Sequence, residues 1–213
     1  ITAVTPMNTN MTPCSSTTTG DWLESQGQWD LAMPHYRGAV DMLKQQQPRQ
    51  KNHKLHLANV YHRIALIHYK QSRYSAALCV LNHALELIHF SHGCLTLEDS
   101  LPLLDPTTTL PLLFVVADLL VSQARVHRSM GHLRLAKRTV KQALQLLAPR
   151  PTNHHRSHSH WHVLFAKALV VLSSTYQEEK PNVAMQHHQQ ALAMLRYSLG
   201  DNHVHVAETI THI

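Results

Sequence analysis

Acidic residues are scarce in this chain, and so are glycine, cysteine, aromatic residues and long apolar runs. Thirteen Asp and Glu stand against nineteen Lys and Arg, a net charge of +6 with neutral His. That balance permits an acidic protein, an anionic membrane surface or RNA as partner, and requires none of them. Only six Gly occur in 213 residues, while Ala, Leu, Gln and His are frequent, a composition suited to helices. β-Branched residues nowhere alternate strictly, which argues against a sheet. The three cysteines, Cys14, Cys79 and Cys94, show no regular spacing. They do not form a disulfide framework and point to a reducing intracellular compartment, cytoplasmic or nuclear. Cys79, inside a repeat helix, is expected to be a buried small hydrophobe. No run reaches the roughly 20 apolar residues that span a bilayer, and the best candidate, Leu110 to Val121, carries Asp118. No membrane insertion is expected. Gly-x-Ser-x-Gly, a Gly-rich phosphate loop and His-Glu-x-x-His are also missing. No catalytic residue and no cofactor are therefore assigned, and the chain reads as non-enzymatic.

What is present is a recurrent seam. Four segments place small residues seven apart around a central side chain: Ala32…Tyr36…Ala39, Ala77…Leu81…Ala84, Ala136…Val140…Ala143 and Ala184…His188…Ala191. Seven residues are nearly two helical turns, so each segment offers a stripe on which another helix can lie close. Each follows a short turn: Gln26-Gly27-Gln28, Gln71-Ser72-Arg73, Met130-Gly131-His132 and Glu179-Lys180-Pro181. Recurrence of one seam predicts stacked helix pairs rather than one globular core. The pairs are expected to begin near Asp21, with Asp30 as an N-cap, then at 53–71 with 74–90, 112–130 with 133–148, and 160–178 with 182–198. Residues 1–19, rich in Thr, Ser, Asn and Pro, are expected to be a flexible segment. Residues 20–213 form the repeat domain, with inserts near 91–111 and 149–159. Val204–Ile213 opens a further helix, and with Ile1 at the start a piece of a longer protein is expected.

The stretch from Tyr61 through Ile64, Ala65, Tyr74 and Ala77 to Ala84 resembles a tetratricopeptide (TPR) repeat. Leu120, Ala124, Leu133, Ala136 and Ala143, with Gly131 in the turn, form a similar set. So do Ala168, Leu172, Ala184 and Ala191. The marker alanines lie 45, 59 and 48 residues apart, against about 34 in the family, so this is a divergent array. Leu199-Gly200-Asp201-Asn202-His203-Val204 is weakly similar to the repeat junction of kinesin-light-chain-type TPR adaptors, with Val204 where that junction usually has Pro. The resemblance implies an all-α, right-handed α-solenoid of antiparallel helix pairs, about four repeats.

It also implies that the first helix of each pair lines a concave groove. Asn59, His62, Arg63, Leu66, Tyr69 and Lys70 would face it in one pair, Asp118, Val121, Arg125 and Arg128 in the next, and Ala166, Leu169, Ser173 and Tyr176 in the last. The candidate partner-binding residues are Asn59, His62, Arg63, Tyr69, Lys70, Arg125, Arg128 and Tyr176. Mixed Tyr, Arg, Lys and Asn side chains suit an extended, acidic peptide segment of another protein. The expected function is a non-enzymatic scaffold or adaptor. The alternatives are a helical-repeat arm of a large complex, with or without a regulatory role toward a catalytic domain elsewhere, and a basic RNA-binding solenoid. Arg134, Lys137, Arg138 and Lys141 share one helical face and are expected to point outward. Aromatics for base stacking are not interleaved there, which disfavours RNA. The run His154–His162 could capture a transition metal, but reads more simply as a biased loop, so no metal is assigned. His188 is expected to be a hydrogen-bonded core residue.

Overall fold

A computed structural model describes residues 12–45, 53–92, 106–148 and 158–211. Among the described residues there are nine helices and no strand. They fall into two compact units, 1–91 and 92–213. The first contains α1 (Pro13–Ser25), α2 (Trp29–Gln45), α3 (His53–Lys70) and α4 (Tyr74–His92). The second contains α5 (Pro106–Ser129), α6 (Leu133–Leu146), α7 (His158–Tyr176), α8 (Pro181–Leu199) and α9 (Val204–Ile210).

The seam is the organising element. All of its residues are buried: Ala32, Tyr36, Ala39, Ala77, Leu81, Ala84, Ala136, Val140, Ala143, Ala184, His188 and Ala191. In the first unit Ala32, Tyr36 and Ala39 meet Leu23, Leu57, Val60, Ile64 and Ile67 in one core. In the second, Val140 and Ala143 pack with Leu113, Val121, Ala124, Leu164 and Leu172. Ala191 and Leu195 pack with Ala166, Leu169 and Val206.

Three of the four turns have one geometry. Gly27, Ser72 and Gly131 each adopt positive φ, at 72°, 60° and 78°. Their amides donate to Glu24, Tyr69 and Arg128, and the next amides donate to Leu23, His68 and His127, at 2.8–3.0 Å. This is the left-handed helix stop in which two orphan carbonyls are satisfied by the chain that leaves the helix. The next helix starts at the same offset each time, with Ala32, Ala77 and Ala136 donating to Gln28, Arg73 and His132 at 3.0 Å. Three-residue connections of this kind set the flanking helices antiparallel. The fourth turn is built differently. Lys180 donates to Tyr176 at 2.8 Å, and Pro181 opens α8 where a missing N–H costs little.

Some expected boundaries move. Residues 13–19 are not a flexible segment but the first turns of α1; residues 1–11 lie outside the described residues. Thr12 accepts from the Ser15 amide at 3.3 Å as an N-cap, and Thr17 and Thr18 bond back to carbonyls three residues earlier. The buried Ser16 then donates to the His35 carbonyl at 2.7 Å and ties α1 to α2. A Ser/Thr-rich segment can thus be helical when its hydroxyls are satisfied locally and one face is covered. The insert near 91–111 is shorter than expected, because α4 runs to His92 and α5 begins at Pro106. Residues 149–157 of the second insert lie outside the described residues, and residues 158–162 open α7. Asp30 is not an N-cap: α2 starts at Trp29, and Asp30 accepts from Gln71 Nε2 at 2.9 Å.

Candidate partner-binding surface

The candidate residues do not behave alike. In the first unit, Asn59 and Lys70 are exposed on α3. Tyr69 is half-buried, its ring 5.8 Å from that of Tyr74. His62 corrects the sequence expectation, since it is buried at 8% exposure and does not face open solvent. Arg63 is engaged within the unit. It lies 3.5 Å from Asp21 and 3.7 Å from Glu24, both on α1. Those two carboxylates also converge on Tyr36 of α2, whose single hydroxyl proton lies between Asp21 Oδ1 at 2.6 Å and Glu24 Oε2 at 2.9 Å. Burial, then the two carboxylates, raise the Tyr36 phenol far above its ordinary range and hold it protonated. Arg63 supplies the positive charge that two neighbouring carboxylates require. The ring of Tyr36 needs Gly20 opposite it, because a Cβ there would lie 2.9 Å from the ring carbons.

In the second unit, Val121, Ala166, Leu169 and Ser173 were expected to line the groove and are instead buried. The first helices here are covered on more than one face, so the pattern of one exposed stripe per helix does not hold. Ser173 Oγ meets His188 Nε2 at 2.9 Å, as expected of a hydrogen-bonded core histidine. Asp118 and Arg125 are half-buried and held by interactions within the chain. Tyr176 is also engaged: the Lys137 ammonium lies 4.2 Å from its ring centroid, and His187 lies 6.3 Å away. Lys137 donates to Glu179 Oε2 at 2.6 Å, which with its charge holds that carboxyl below the usual range. Tyr176 and Lys137, expected on opposite surfaces, therefore touch.

Arg128 is different. It is exposed and makes no ion pair among the described residues. It stands on the rim of an open pocket of about 660 Å³, walled by the α5–α6 turn (Arg128, Ser129, Gly131, Leu133) and by the end of α7 (Ser174, Thr175, Gln177, Glu178). Ser174 and Thr175 donate to the carbonyls of Val171 and Leu172 at 2.7 and 2.6 Å; Thr175 is buried, while the half-buried Ser174 keeps an oxygen that can accept. The pocket could not be read from sequence, because its two walls are some 45 residues apart. The positive φ of Gly131 is its one local signal.

Among the described residues no group of three or more His, Cys, Asp or Glu could hold a metal ion. Residues 154–157 of the His-rich run and Cys94 lie outside the described residues. Cys79 is exposed, not buried, which corrects the expectation from its place in a repeat helix. Among the described residues no helix is long and apolar enough to cross a membrane.

No family model matches the chain, and no curated protein matches its sequence. Among solved structures it is similar to the crystal structure of BtubC (BKLC) from P. vanneervenii, with a TM-score of 0.62. The likeness covers 92% of this chain and 68% of that one, at 16% identity. BtubC is a kinesin-light-chain-like TPR protein. At that identity the likeness shows the fold. This chain has an all-α, TPR-like helical-repeat fold of the α-solenoid class.

Proposed function

We propose that the chain is a non-enzymatic protein-interaction scaffold that holds an extended, acidic segment of a partner protein. The observation that carries this reading is the unpaired Arg128 beside an open, mixed-polarity pocket. A guanidinium without an internal carboxylate can take one from a ligand in a bidentate pair. Gln177 offers both a donor and an acceptor to a peptide backbone, the Ser174 oxygen accepts, and Leu133 gives an apolar wall. Asn59 and Lys70 form a separate exposed patch on the first unit. Tyr69, Arg125 and Tyr176 act as half-buried supports, His62 is buried, and the exposed Arg63 is taken by the carboxylates of α1. The free, exposed thiols of Cys14 and Cys79 favour a reducing intracellular compartment, cytoplasmic or nuclear.

The test is an array of acidic synthetic peptides read by fluorescence anisotropy. Peptides bound by the wild-type chain should lose about tenfold in affinity on Arg128→Glu. Arg128→Lys should fall between the two, and the thermal midpoint should not move. Binding that ignores both substitutions would sink the reading.

A further inference from the structure

We propose that the outward face of α6 is a second docking surface, built for an acidic helix of another protein and distinct from the Arg128 pocket. Between Asp118 and Glu178 the sequence holds no Asp or Glu, and α6 lies within that stretch. The helix is sharply two-sided. Ala136, Val140 and Ala143 are fully buried, whereas Arg134, Arg138 and Lys141 are exposed. These three cations follow at i, i+4 and i+7, so they share one face along about 10 Å of helix. Lys137, the other cation of α6, is taken by Glu179 and the Tyr176 ring. Arg134 lies in the field of Glu179, but among the described residues no ion pair compensates Arg134, Arg138 or Lys141. Like charges at this spacing repel, and a matching row of carboxylates removes that cost.

Leu135, 47% exposed, borders this face, about 100° round the helix from Arg134 and one turn before Arg138. An apolar side chain beside a charged face offers a partner helix both kinds of contact that a protein interface uses. A single-stranded nucleic acid would need open aromatic faces to stack on. The nearby ring of Tyr176 is covered by Lys137. Charge complementarity and Leu135 together select an acidic, partly apolar helix.

The probe is a fluorescein-labelled alanine-based helix with Glu at the same i, i+4, i+7 spacing and one Leu. Its controls are a peptide of equal composition with scrambled spacing, and single-stranded poly-U. With the full chain, the spaced peptide should bind several-fold tighter than the scrambled one. The triple change Arg134→Glu, Arg138→Glu, Lys141→Glu should weaken it at least about tenfold with helicity unchanged, and Leu135→Ser about threefold. Should the triple variant misfold, Arg138→Gln with Lys141→Gln replaces it, with a loss in the same direction. Arg128→Glu should leave this binding unchanged, which separates it from the pocket reading. Equal binding of the scrambled peptide, tighter binding of poly-U, or indifference to Leu135→Ser would each overturn the proposal. The face would then be a non-specific polyanion contact.

Discussion

Arg63 in the first unit and Arg128 in the second were both expected in the groove and have opposite fates in the structure. Both stand on the first helix of a pair. Arg63 stays exposed but pairs with Asp21 and Glu24 and completes a network beside the buried Tyr36. Arg128 makes no ion pair among the described residues and is left at the edge of a pocket whose far wall holds Glu178. The difference lies in the neighbouring helix. In the first unit α1 brings two carboxylates, whereas in the second the whole stretch from 119 to 177 is free of acids. Repeat position tells where a cation stands, and the neighbour's charge decides whether it is available.

The contrast can be broken most forcefully at Gly20. Gly20→Ala puts a methyl into the ring of Tyr36 and pushes the phenol off its carboxylates. It should lower stability by about 1–3 kcal/mol in urea unfolding, and an unchanged midpoint would show that the network tolerates displacement. A smaller effect is expected at the turns that both units share. Gly131→Ala forces a side chain into the left-handed region and should cost about 1 kcal/mol. Ser72→Gly relieves the same strain in the first unit and should stabilise by up to about 1 kcal/mol. If the two changes have the same sign, the turns are not equivalent.

The smallest effect concerns His68 and His127, which occupy the same position before the turn in the two units. Both are held below the ordinary imidazole range, His68 by burial and then by Arg73 and Arg37, and His127 by burial and then by His132. Both Nδ1 atoms are buried without a hydrogen-bond partner. The unfolded chain therefore takes up these protons at higher pH than the folded one. The stability they support is complete above about pH 6.5 and is lost as pH falls through that value toward the lower folded pKa. Urea unfolding at pH 7.5 and 5.5 should show a smaller acid loss for His68→Gln and for His127→Gln than for the wild-type chain. An equal loss in all three would place the acid sensitivity elsewhere.

The alternation of small and bulky residues is enough to set the helices, the seams and the class of fold. A 3.6-residue period and tight turns are local properties, and Ala77, Ala136 and their counterparts are buried as that period requires. The buried, hydrogen-bonded His188 was legible for the same reason. The candidate surface was legible only in part. Asn59, Lys70 and Arg128 are exposed, while His62, Val121, Ala166, Leu169 and Ser173 are buried by packing against other helices. The capture of Arg63 by α1, and of Lys137 by Glu179, joins charges about 40 residues apart. A charged side chain reaches several ångströms and takes whatever partner packing brings near, so its availability was decided only by the tertiary structure.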